Sequence, residues 1–272
     1  MGVCVCAPRR PRRSGARVGL AGPKHDRYAA SKPSVIRMSP WEELQSDLRR
    51  YYDARGIGAV DFDCTHSPVC RAAAEHVGGR FVTAREPTVG VRYLAGWPRI
   101  LVVSLDPGSL DEPTPIQLRS EEPLGPPNCH WHRTHEGVAE IIYAGTGERL
   151  TPAEAGTWFA HLNVVRCCAN RVGRREAPNA MFMRCHEYLE GEVRIFRPDL
   201  IWSQGDKAWD AMAWALPHLM RKDVVDLDGR PSVWLHSTHP AAHSLRAADK
   251  WQEQLADLRA RTKAELRVPS EE

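Results

Sequence analysis

Three groups of side chains in this sequence have the types and the spacing to do chemistry. The first is Leu105-Asp106-Pro107-Gly108, where proline and glycine turn the chain and leave a carboxylate rigidly placed. The second is Thr238-His239-Pro240, a histidine fixed by the proline after it and able to present one ring nitrogen to a substrate oxygen. The third is a set of four cysteines, Cys64, Cys70, Cys167 and Cys185. Thiolate sets of four hold zinc or iron–sulfur clusters, and without a C-x-x-C pair this set is not a zinc ribbon. Each group also has a plainer reading. Asp-Pro-Gly is commonly just a turn, and a loop histidine is commonly a cap. Buried cysteines also serve as small hydrophobes. Cys129 and Cys168 need no role at all.

Short apolar runs supply the frame. Arg99–Leu105, His161–Val165, Asp199–Gln204 and Ser232–His236 are apolar or β-branched without strict alternation, as in strands covered on both faces. Helical patterns run over Trp41–Ala54, Gly137–Tyr143, Asn179–Phe196, Lys207–Met220 and Ala247–Leu266. Strands alternating with helices predict an α/β fold, a three-layer α/β/α sandwich on a mostly parallel four-stranded sheet. Ligands in such sheets sit beyond the carboxyl ends of the strands. Asp106, Asn163, Gly205 and His239 occupy those ends. The loop from Pro107 to His135 is proline-rich and long enough to suggest function.

Charge is divided unevenly. Residues 1–37 hold nine Lys/Arg and one acidic residue, a net +8, while the remainder holds 28 basic and 33 acidic, a net −5. The first segment lacks apolar periodicity and reads as a disordered basic extension, or as sequence upstream of Met38 and the helix start Ser39-Pro40-Trp41-Glu42. Residues 38–272 then form a single domain. No apolar run is long enough to span a bilayer, and the order of the first residues is the reverse of an export signal. The expectation is a cytoplasmic monomer with no membrane contact and no obligate protein partner, whose eight cysteines are kept reduced.

In order, the motifs resemble a known family. Asn163-Val164-Val165-Arg166-Cys167, Asn170-Arg171, Cys185-His186-Glu187-Tyr188-Leu189, Arg197-Pro198-Asp199-Leu200-Ile201 and Gly205-Asp206-Lys207-Ala208 look like the central block of the iron–sulfur (family 4) uracil-DNA glycosylases. Asp106-Pro107-Gly108 resembles the superfamily's first catalytic motif and Thr238–Ala242 its His-Pro motif; the likeness covers roughly residues 60–265. There are departures. The first cysteine pair is C-x5-C where the family has C-x-x-C, so zinc or an empty site stays open beside a 4Fe–4S cluster. The acid directly precedes proline, as in the classical uracil-DNA glycosylases. The loop after the second strand holds arginines but no histidine, which implies ordinary turnover without a covalent DNA link.

The resemblance implies a monofunctional DNA glycosylase that extrudes a nucleotide and cuts its glycosidic bond, leaving an abasic site in base-excision repair. Asp106 would position water and stabilise the cationic sugar, and His239 would hydrogen-bond the departing base. Asn163 would read a pyrimidine edge, backbone near Leu105 would add recognition, and Trp131 or His132 would stack on the base. Gly108 stands where classical enzymes carry a tyrosine that blocks C5 substituents. The resemblance alone makes uracil the first expected substrate, and the room left at Gly108 makes a modified or hypermodified pyrimidine, in antiphage defence, the alternative. A catalytically lapsed DNA-binding homologue is a third reading. Arg166, Arg171, Arg174, Arg175 and Arg184 form the densest basic cluster and would face DNA, or simply be a solvated charged face. Ser244 and Leu245 lie where the superfamily inserts a wedge, although Leu245 reads equally well as a core leucine.

Overall fold

The computed structural model describes residues 38–58, 63–83, 86–108, 115–120, 124–127, 129–170, 177–217, 220–221, 224–242 and 248–266. The basic segment 1–37, the arginines Arg171, Arg174 and Arg175, and the wedge pair Ser244 and Leu245 lie outside them.

The four apolar runs become β2 (Ile100–Ser104), β4 (Phe159–Asn163), β5 (Leu200–Gln204) and β8 (Arg230–Ser237). They pair in parallel in the order β4-β2-β5-β8. The sheet does not stop at four. β1 (Thr88–Gly90) and β3 (Gln117–Arg119) extend one side, and β7 (Val224–Leu227) and β6 (Met220–Arg221) the other, giving eight strands of mixed direction. β1 is antiparallel to β4, and β7 to β8. The added strands are two to four residues long, too short to print a period on the sequence.

Successive residues of the central strands feed two cores. Leu101, Val103, Ala160, Leu162, Ile201 and Trp234 enter one, packed with residues of α1 (Pro40–Asp53), α2 (Ser67–His76), α5 (Asn179–Cys185), α6 (Leu189–Phe196) and α7 (Asp206–Ala215). Val102, Phe159, Leu200, Trp202 and Leu235 enter the other, with α3 (His130–Thr146), α4 (Pro152–Ala155) and α8 (Ala248–Glu265). This is the period-two alternation of a sheet covered on both faces.

Local chemistry sets the helix ends. Ser39 caps α1 through a capping box with Glu42, Pro40 occupies the first turn, and Leu44, Leu48 and Tyr52 form its buried stripe. α3 begins seven residues before the expected Gly137, because Cys129 caps it, its Sγ accepting the His132 N–H at 3.4 Å. A thiol cap carries none of the usual start signals. The single helix expected over Asn179–Phe196 is interrupted by a 3-10 turn at His186–Tyr188. Within α3, Gly137 allows close approach to the sheet: a Cβ there would stand 2.2 Å from the Trp202 ring.

Candidate functional site

Because β2, β4, β5 and β8 are parallel, Asp106, Asn163, Gly205 and His239 all lie at one edge of the sheet. Asp106 is held at both carboxylate oxygens. Oδ1 accepts the Gly108 N–H at 2.7 Å, and Oδ2 accepts the Ala177 N–H at 2.9 Å. Two main-chain donors thus fix the orientation of the acid. Leu105 contributes its carbonyl to Val165 N–H at 2.9 Å, which ties the acid's turn to the end of β4. Asn163 is 3% exposed, and its amide makes no side-chain hydrogen bond to a described residue.

His239 is fixed from several directions. Its Nδ1 accepts the Ala241 N–H at 3.2 Å, which leaves the proton of the neutral ring on Nε2. Burial pushes its pKa below the ordinary imidazole value, so the neutral form dominates. Its ring stacks on His130, with centroids 4.9 Å apart and planes 16° from parallel. The next carbonyl, that of Pro240, accepts from buried Arg133 Nη1 at 2.9 Å, and the Arg133 guanidinium lies over Trp251.

A buried polar chain runs beneath this edge. His161 Nε2 meets Ser104 Oγ at 3.0 Å, Ser104 Oγ donates to Gln204 Oε1 at 3.0 Å, Gln204 Nε2 donates to Thr134 Oγ1 at 3.0 Å, and Thr134 donates to the His130 carbonyl at 3.0 Å. Since the Ser104 proton is committed to Gln204, His161 must be the donor to Ser104. The chain binds β4, β2 and β5 to the turn of α3 that carries His130. The sequence hinted at it only through Ser104 and Gln204, polar residues closing apolar runs.

The proposed stacking residues are placed otherwise than expected. Trp131 and His132 belong to the first turn of α3 rather than to a loop. Trp131 packs against Phe159 and His161 at the second core, with Arg119 over its ring, and His132 lies 3.6 Å from Glu136. The aromatic ring beside His239 is His130, which sequence reasoning missed because only the fold brings the two together.

Cys70 within α2, Cys167 after β4 and Cys185 at the end of α5 belong to the first core, and Cys64, three residues before α2, packs half-buried against it. Burial first, and then the neighbouring thiols, pushes Cys70 up to about 11 and Cys185 up to about 12, and Cys167 above the ordinary thiol range. Cys64, Cys70 and Cys185 all act on Cys167, so the four share one neighbourhood. Among the described residues no three His, Cys, Asp or Glu side chains gather closely enough to hold a single metal ion. Cys64 Sγ accepts from Ser67 Oγ at 3.8 Å. Arg166 is a correction. It is not on a DNA-facing surface but is 2% exposed and ion-paired to buried Glu192. Cys168 also acquires a structural task, donating to the Gly108 carbonyl at 3.1 Å.

The chain matches no protein-family model, and no curated protein is similar to it. No described helix is long and apolar enough to cross a membrane.

Proposed function

We propose that this protein is a monofunctional DNA glycosylase that hydrolyses the N-glycosidic bond of an extruded uracil or related pyrimidine, with the mixed sheet and its helices read as a three-layer α/β/α sandwich. The observation that carries this reading is the sharing, at one edge of parallel strands, of an oriented carboxylate, a buried amide with no side-chain partner among the described residues and a histidine kept neutral with its proton on Nε2. Glycosidic cleavage puts positive charge on the sugar and negative charge on the base. Asp106 suits the first: it positions water and faces the cationic sugar. His239 suits the second, donating from Nε2 to the base oxygen as charge develops there, a role a neutral imidazole fills without giving up its proton. Asn163 can pair with both a donor and an acceptor of the pyrimidine.

Room at the base favours a second substrate. A Cβ placed at Gly108 would meet nothing within 4 Å, which suits a pyrimidine bearing a C5 substituent. In that case the enzyme would act on modified phage DNA.

The cysteines fit a thiolate-held metal group. Four soft donors share a dry region where each thiol disfavours its neighbours' ionisation, and the nearby Arg166 keeps buried Nε and Nη1 atoms without partners. We read the group as a 4Fe–4S cluster on the likeness of the motifs, with zinc as the alternative. Held by Cys64, Cys70, Cys167 and Cys185, the group would supply covalent cross-links joining α2, the end of β4 and α5.

The test is incubation of wild type and Asp106→Asn with single- and double-stranded oligonucleotides bearing uracil, hydroxymethyluracil, hypoxanthine or glucosylated hydroxymethylcytosine, scored for abasic sites. Abasic sites from wild type on a pyrimidine substrate, lost in Asp106→Asn, are expected. A folded wild type that binds DNA yet opens no substrate would sink the proposal in favour of a lapsed binder.

A further inference from the structure

Arg166 is an expensive residue for its position. Its guanidinium is permanently charged, with five N–H donors and no acceptor. Glu192, itself 0% exposed, takes Nη2, and Tyr52 donates to the same carboxylate at 2.6 Å. Nε and Nη1 stay buried without a partner. As a purely structural device this is poor, because a buried ion pair with donors left over is commonly less favourable than apolar side chains of the same size. The cation lies one residue before Cys167, and Cys185 is among the groups whose charge acts on it, so it stands beside the cysteine set. Four thiolates bring four negative charges, and a doubly charged metal core cancels only half of them. The remainder would sit in a dry core, where an unbalanced charge is costly.

We propose that Arg166 is the hydrogen-bond donor to the sulfurs of the thiolate-held metal group, through Nε and Nη1, with Glu192 holding the guanidinium in place. The proposal rests on reading the four cysteines as a metal site. Arg166 is a positioning residue for that group; it is not assigned contact with substrate.

Metal content, acid-labile sulfide, loss of metal to a chelator and, for iron, the midpoint potential are measured on anaerobically purified full-length protein. Arg166→Met alone would strand Glu192 and risks misfolding, so the key variant is Arg166→Met/Glu192→Gln, with Arg166→Lys as the charge-preserving control. The double variant is expected to fold, by circular dichroism, but to lose metal to the chelator about tenfold faster or more, as outer-shell substitutions do. If iron is bound, its potential should fall, because two N–H donors that stabilise the extra charge on the sulfurs in the reduced state are gone. Arg166→Lys should recover most of the retention. A double variant that keeps its metal as wild type does, at unchanged potential, overturns the role of Arg166 while leaving the metal site standing. A wild type that binds neither iron nor zinc overturns both.

Discussion

The strand-end edge and the cysteine region are built on opposite principles. At the edge, the acid and the imidazole are already held: Asp106 by two main-chain N–H groups, His239 by Ala241 and the His130 stack, and the Pro240 carbonyl beside it by Arg133. In the cysteine region the groups disagree with one another. Three thiols are pushed up by burial and by their neighbours, and a buried guanidinium keeps two unpaired atoms. A site that is satisfied as it stands can act on a passing ligand. A region with unmet demands is completed by one that stays.

The largest expected effect breaks the second half of this contrast. Cys167→Ala should abolish metal binding and lower stability by several kcal/mol, because metal affinity in such sites is folding free energy; thermal melts beside metal analysis check it. An unchanged melt would mean the cysteines are only packing. Next, Asp106→Asn should slow base release by about 10²–10⁴-fold, the usual contribution of a positioned acid or base. It should also cost some stability, since the new amide NH2 must face an N–H that the carboxylate accepted. Single-turnover rates and melts measure the two separately. Smaller still, Arg133→Met should cost about 1–3 kcal/mol by leaving the buried Pro240 carbonyl unanswered. It should reduce kcat more than it raises KM, since the histidine loosens without direct loss of binding.

The smallest effect is a pH dependence. His236 and His239 both have folded pKa values below the ordinary 6.5, in each case chiefly through burial. Below pH 6.5 the unfolded chain therefore binds protons that the folded chain refuses, so stability falls as pH drops toward the lowered folded values and is flat above 6.5. Activity that needs neutral His239 should hold below pH 6.5 and fail only at more acid pH. An activity midpoint above 6.5 would contradict a buried neutral imidazole. Ring-proton titrations by NMR give the same answer without any substrate.

Much of this was legible before the fold. The four central strands announce themselves as uninterrupted apolar runs, since both of their faces are covered, and the strand-end rule then selects Asp106, Asn163 and His239. Legibility ends where the determinant is non-local or short. Strands of two to four residues have no period to show. The start of α3 was hidden by a cysteine cap, which left Trp131 and His132 in an imagined loop. Arg166 looked like one of a surface cluster because charge is visible in sequence and Glu192, 26 residues on, is not visibly its partner. His130 owes its place beside His239 entirely to the packing of α3 on the sheet.

That packing has a consequence for how the molecule could change over time. The imidazole is braced by His130 and Arg133, which share the opening turn of a helix clamped to Trp202 through Gly137. Substitutions that shift the start of α3 would therefore move His239 without touching it, so the thiol cap at Cys129 and the close approach at Gly137 set how far the imidazole can drift from the strand ends.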